Sequence, residues 1–264
     1  MKTLVDAAIT VLKEPNPSMK VKLTQELSEA WKSKLIYNIG DASLPDHPAR
    51  SSRPELRAHN EMPRRNPQNE SGRIAFIHAI AHIELNAIDL AWDIIGRFSR
   101  EELPLAFYND WINVAIDEAK HFDILSKRLI ELGSAYGDYP AHNGLWESAK
   151  NTSNNLAARL AIVPMVLEAR GLDTIPNAIN KLRSVGDIES SNILEKIGVE
   201  EIPHVATGVR WFEFICDKRG VDPIPEFHRL VEEYFKGKLK APFNDAARTK
   251  AKFSKDYYLP LANN

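Results

Sequence analysis

Glu84 is followed 34 residues later by Glu118-Ala-Lys-His121, and Glu168 is followed 33 residues later by Glu201-Ile-Pro-His204. The chain therefore carries one arrangement twice: a lone glutamate, then Glu-x-x-His. Glutamate and histidine three residues apart share a helix face, so both side chains can reach one metal ion. The lone glutamates can flank or bridge. Four carboxylates balance the charge of two divalent cations and leave a neutral buried centre once metal is present. Without metal, some of the acids should take up protons. Glu, Glu-x-x-His, Glu, Glu-x-x-His on four helices is the ligand pattern of a two-metal centre inside a helical bundle. Carboxylate-rich sites with one imidazole per metal suit iron or manganese.

The positions of these residues strengthen the reading. On the first helix the inward stripe is Ile74, Ile77, Ala81, Glu84, Ile88, Ala91 and Ile95, with Glu84 its only charge. On the second it is Trp111, Val114, Glu118, His121, Leu125 and Leu132. The third offers Ala157, Ala161, Pro164 and Glu168, and the fourth Leu194, Ile197, Glu201, His204, Gly208, Trp211 and Ile215. A carboxylate in an apolar stripe is costly unless paired, protonated or bound to a cation. A single Glu-x-x-His is a weak signal, often a surface pair. Two copies at matched distances on apolar stripes are not. Asp117 and Glu200 each precede a ligand glutamate, where an acid can accept the free ring N–H of a ligating histidine. Pro164 and Pro203 fall close to Glu168 and His204. Proline inside a helix kinks it, and the bends either set ligand aim or only curve the helices around the core.

Other polar residues of these helices have plainer readings. His78 and His82 point away from the Glu84 stripe, as packing or supporting residues. Asp89 and Asp93 read as a polar rim. Trp92, Trp111, Trp146, Trp211 and Cys216 read as core, with Trp211 and Phe212 as candidate walls of a substrate cavity.

The elements that must position the site are all helical. Helix A is expected at about 71–98 with Ser71 as N-cap, helix B at about 101–132, helix C at about 146–171 and helix D at about 188–218. A short helix at about 175–185 lies between C and D, and two more pieces follow at about 223–236 and 243–253. The first 37 residues read as helical with a break at Pro15-Asn16-Pro17. Residues 38–70 are rich in proline and arginine and read as an extended wrap on the surface. No alternating run argues for a sheet. The fold class is all-α: a four-helix bundle with a long B–C crossover, an N-terminal wrap and short C-terminal helices. One domain is expected over 1–264, divided as 1–70, 71–218 and 219–264.

Composition bounds the function. The chain has 264 residues, 44% hydrophobic and 27% charged, with a formal net charge of −2. Nothing global points to nucleic acid or to an acidic membrane surface. Arg50, Arg53, Arg57, Arg64 and Arg65 are diluted by Asp46, Glu55 and Glu61 and have no aromatic platform. Cys216 is the only cysteine, which rules out an internal disulfide and cysteine-rich metal sites. A reducing cytoplasm is the expected compartment. Asp6 interrupts any signal-like run at the N-terminus, and no membrane span is expected.

The run Gly72-Arg73-Ile74-Ala75-Phe76-Ile77-His78-Ala79-Ile80-Ala81-His82-Ile83-Glu84-Leu85 resembles a bacterial ferritin-like family catalogued only as a domain of unknown function. So do Ala115–Phe122, Glu168–Asp173, and His204-Val205-Ala206 leading to Arg210-Trp211-Phe212. The resemblance extends from about residue 40 to 220. It implies a ferritin-like fold with Glu84, Glu118, His121, Glu168, Glu201 and His204 as metal ligands. More remotely, the chain is similar to di-iron carboxylate hydroxylases, one of which modifies tRNA. Pro203 departs from the pattern, where a small helix-compatible residue is expected.

The leading expectation is an oxygen-dependent oxidoreductase with two iron ions, or alternatively manganese or a mixed pair, acting on an unknown small organic substrate. An external electron donor would be needed, because no flavin or nicotinamide fingerprint and no iron–sulfur cysteines occur. Composition argues against nucleic acid as a partner; only the remote hydroxylase resemblance keeps tRNA open. The alternative expectation is a non-catalytic ferritin-like metal protein that handles iron or peroxide. A bundle without metal, serving as an interaction module, is the third.

Overall fold

A computed structural model gives the conformation of residues 3–262 except Arg64 and Lys236. The loop arginine Arg64 therefore lies outside the described residues. The described residues form helices and loops, with no strand among them. The chain divides into two compact units, residues 1–146 and 147–264.

The first unit contains α1 (Leu4–Leu12), α2 (Pro17–Lys32), α3 (Glu70–Arg97) and α4 (Leu105–Glu131), and ends in the first turn of α5 (Gly144–Asn151). Thr3 and Asp6 form a capping box on α1. Asn16 caps α2 ahead of Pro17, a residue suited to the first helical position. Asn69, not Ser71, caps α3: its Oδ1 accepts from the Gly72 N–H at 2.7 Å. Gly72 is required there, because a Cβ would fall 1.9 Å from the Asn66 carbonyl oxygen. α4 begins four residues later than the sequence suggests. Leu103 precedes a proline, which disfavours helical backbone, and Pro104 takes the cap position.

α3 and α4 pack along each other, with α1 against α3 and α2 against α4. α3 is long and apolar enough to cross a membrane, yet 78% of its apolar window is buried inside the protein. It is a core helix. The proline- and arginine-rich segment is fixed along this unit as expected of a wrap. Ala49 N–H donates to the Leu12 carbonyl at 2.7 Å, Arg57 N–H to Ala141 at 2.8 Å, and the Arg97 guanidinium to Pro45 at 3.0 Å.

The second unit contains α6 (Leu156–Ile162), a π-helical segment (Val163–Glu168), α7 (Ala169–Ser184), α8 (Ile188–Arg219), α9 (Pro223–Tyr234), α10 (Asp245–Lys250) and α11 (Lys255–Tyr258). Helix C of the sequence reading is thus not one helix. Residues 152–155, Thr-Ser-Asn-Asn, compete for backbone hydrogen bonds and end α5, and Asn155 caps α6. Pro164 then lacks the N–H an α-helical turn needs, and the chain widens into π turns. Gly171 does not stop the helix, so the expected short helix at 175–185 is the second half of α7. α8 keeps helical structure through Pro203 and closes on Gly220 at φ 65°. α7 packs on α8, and α6 packs on α8 and α9.

Candidate metal centre

Each unit carries one half of the repeated motif. In the first, Glu84 comes from the middle of α3, and Glu118 and His121 from the middle of α4. They are 5%, 1% and 0% exposed. His121 Nδ1 lies 3.2 Å from Glu84 Oε2 and 3.7 Å from Glu118 Oε2. All three offer a ligand atom within 4.8 Å of one another, so this buried Glu/His cluster could hold a metal ion. The surrounding stripes of α3 and α4 are buried aliphatic and aromatic residues, as their spacing requires. An ionised pair of carboxylates in such surroundings needs a cation or protons to be tolerable. The donor set therefore fits a hard or borderline divalent ion.

In the second unit Glu201 and His204 are both buried on α8, with His204 Nδ1 3.4 Å from Glu201 Oε1. The two Glu-x-x-His pairs thus present the same ring nitrogen to the preceding glutamate. Glu168 is the last residue of the π segment and is half-buried. Its counterpart Glu84 sits in regular α-helix. The distortion arises at Pro164 and is held by α8: a Cβ on Gly208 would stand 2.5 Å from the Pro164 Cβ. π turns inside α-helices often occur at functional sites because they rotate the residues that follow.

Asp117 and Glu200 are both half-buried. The Asp117 side chain is 36% exposed and lies 3.8 Å from Lys120 Nζ. The remaining expectations divide. Trp92, Trp111, Trp146 and Trp211 are buried as expected of core residues, and Phe212, next to Trp211 in the sequence, is buried too. So is Cys216, whose thiol burial pushes up to about 11. His78 and His82 are packing residues. His82 Nε2 donates to the His142 carbonyl at 3.1 Å, and the Tyr136 hydroxyl donates to His82 Nδ1 at 2.8 Å. His78 Nε2 accepts the Gly137 N–H at 2.8 Å. Burial lowers both imidazoles, to about 4 for His78 and about 3 for His82, so both are neutral at pH 7.

Asp89 and Asp93 are not a polar rim: both are fully buried. Asp93 holds Arg97 through a forked pair, and Asp89 is ion-paired with Lys20 of α2. Sequence reasoning missed this because Lys20 is 69 residues away. The only local signal was that two acids lay in a helix otherwise too apolar to be half exposed.

The profile of the family described as "Protein of unknown function (DUF455)" matches residues 13–259. The chain belongs to this family. A Haemophilus influenzae protein named "Uncharacterized protein" is similar to this DUF455 chain, 39% identical over 259 residues, covering 93% of the chain and 88% of the relative. No solved structure matches the DUF455 chain.

Proposed function

We propose that the protein binds two metal ions through Glu84, Glu118, His121, Glu168, Glu201 and His204 and works as an oxygen-dependent oxidoreductase of ferritin-like architecture. Iron is the favoured metal, with manganese or a mixed pair as alternatives. The observation that carries the reading is the Glu84–Glu118–His121 cluster: two buried carboxylates from separate helices, closing on one imidazole nitrogen. The second half of the motif repeats its spacing and its Nδ1-to-glutamate orientation. Neither carboxylate of the first cluster sits near enough to solvent to be explained as a surface acid.

In this reading Glu118 with His121, and Glu201 with His204, would each hold one metal, with Glu84 and Glu168 as the further carboxylate ligands. Iron held by these residues would supply oxygen activation and electron transfer, chemistry the protein side chains lack. The chain's own part is placement and exclusion of water. The apolar stripes of α3 and α4 keep the first half-site dry, which strengthens every charge interaction in it. The π segment sets the aim of Glu168. Electrons come from an external donor, and the substrate is a small organic molecule.

Oxygen uptake tests the activity. Protein loaded anaerobically with iron(II) and supplied with a chemical reductant should consume oxygen repeatedly, and Glu118→Ala should abolish the repeated phase. Uptake that stops once the bound iron is oxidised would overturn the catalytic reading in favour of iron handling.

A further inference from the structure

The first unit has a second polar cluster, on a different face of α3 from Glu84. His78, His82, Asn86 and Asp89 follow one another at three- and four-residue steps and form one stripe. Glu84 belongs to the stripe of Ile77, Ala81 and Ile88. Asp89 is 0% exposed and Lys20, its ion-pair partner, 2%. Arg50, from the wrap, brings Nη1 to 3.4 Å from Asp89 Oδ2 and donates from Nη2 to Asn86 Oδ1 at 2.6 Å. Asn86 in turn donates to the His82 carbonyl at 2.7 Å. Lys20, Arg50 and His82 of this cluster line a cleft of about 350 Å³, its open mouth included, together with Arg53, Tyr136 and intervening proline and leucine residues.

The charge in this cleft does not balance. Lys20, Arg50 and Arg53 contribute three positive charges. Asp89 answers one. Asp138, whose carboxyl is held low by the Ala135 N–H and the Ser134 hydroxyl with help from Arg53, answers a second. Neither acid lines the cleft itself, whose charged lining residues are all cationic. Arg50 Nη1 is buried and faces Asp89 Oδ2 without a hydrogen bond between them, so the guanidinium is only loosely held on that side. The first turn of α2, a helix end that favours anions, borders the cleft through Pro17 and Lys20. A positive excess in a partly enclosed apolar space is costly until an anion enters.

We propose that this cleft binds a small oxyanion, inorganic phosphate or the carboxylate of a small organic acid. The guanidinium of Arg50 is the main anchor, since its planar fork matches two oxygens of either group. Lys20 supplies a fixed charge behind it, Arg53 closes the mouth, and the proline walls leave little room for a large ligand. The inference is independent of the metal centre, which uses another face of α3.

Calorimetric titration of the full-length protein with sodium phosphate, and separately with sodium acetate, at constant ionic strength in chloride, tests it. Saturable binding of at least one is expected. Binding by phosphate alone assigns inorganic phosphate, and binding by acetate assigns a carboxylate. Affinity should fall at least tenfold in Arg50→Gln and persist in Glu118→Ala. Arg53→Gln, at an exposed position, should weaken binding at least threefold, and it decides the matter if Arg50→Gln does not fold. No saturable binding of either ion would overturn the proposal. So would binding that survives the arginine substitutions but disappears in Glu118→Ala, because the anion would then sit at the metal ligands.

Discussion

His121 Nδ1 faces Glu84 Oε2 at 3.2 Å across the α3–α4 interface, although the two residues are 37 positions apart in sequence. Neither residue is exposed beyond 5%. Helix propensity has no use for a carboxylate there, and packing has no use for an imidazole facing it. A cation held by Glu84, Glu118 and His121 would give all three a physical reason to be buried together. Replacing Glu84 by glutamine should therefore weaken metal retention while leaving the helices intact, because the amide keeps the side chain's size and can still hydrogen-bond His121. Far-ultraviolet circular dichroism and a chelator competition check both halves of that expectation. Tighter metal retention in the variant would contradict it.

The ion pair of Lys20 and Asp89 gives a stability prediction. Both groups are buried, so removing Asp89 leaves the Lys20 ammonium charged and without its counter-ion. Asp89→Ala should cost about 3–5 kcal/mol in urea unfolding. The double variant Lys20→Met with Asp89→Leu should recover most of that loss. Additive losses in the double variant would show that the two residues do not act as a pair.

Two glycines should respond with opposite signs. Gly208→Ala places a Cβ 2.5 Å from the Pro164 Cβ, so α8 or the π segment must move. A loss of about 1–3 kcal/mol is expected for such overpacking. Gly171 lies in α7 with nothing within 4 Å of an added Cβ. There alanine should stabilise by up to about 1 kcal/mol through helix propensity. Thermal melts of the two variants side by side check the contrast, and equal shifts would refute the close approach of α8 to the π segment.

His78 predicts part of the acid limb. Burial, with Arg65 nearby, lowers its folded pKa to about 4 from an ordinary 6.5. Below pH 6.5 the unfolded chain takes up the proton first, so stability is full above 6.5 and is lost as pH falls toward 4. The slope from this residue is at most about 1.4 kcal/mol per pH unit. His78→Gln should flatten the dependence in that window, because glutamine can still accept the Gly137 N–H and carries no proton. An unchanged slope in urea midpoints between pH 6.5 and 4 would exclude His78 as a source.

The sequence made the site more legible than the helices around it. Glu84, Glu118, His121, Glu201 and His204 stood out because each broke an apolar stripe, and the structure buries each of them on the expected helix face. The all-helical class followed from the same periodicity. Helix C failed for a local reason. Periodicity runs on through Thr152–Asn155 and through Pro164, yet side-chain competition and a missing N–H divide that stretch into pieces. Asp89 failed for a distant one. Whether an acid on an apolar helix is a rim or a buried pair depends on a partner such as Lys20, and spacing along α3 holds no information about α2.

Metal content tests the central claim most directly. The protein, produced with iron and manganese both available, is analysed by plasma mass spectrometry beside Glu118→Ala and Glu201→Ala. The account predicts about two iron or manganese ions per chain, with a clear loss in each variant and unchanged helix content. No stoichiometric metal after anaerobic iron(II) loading, or full loading in both variants, would contradict it.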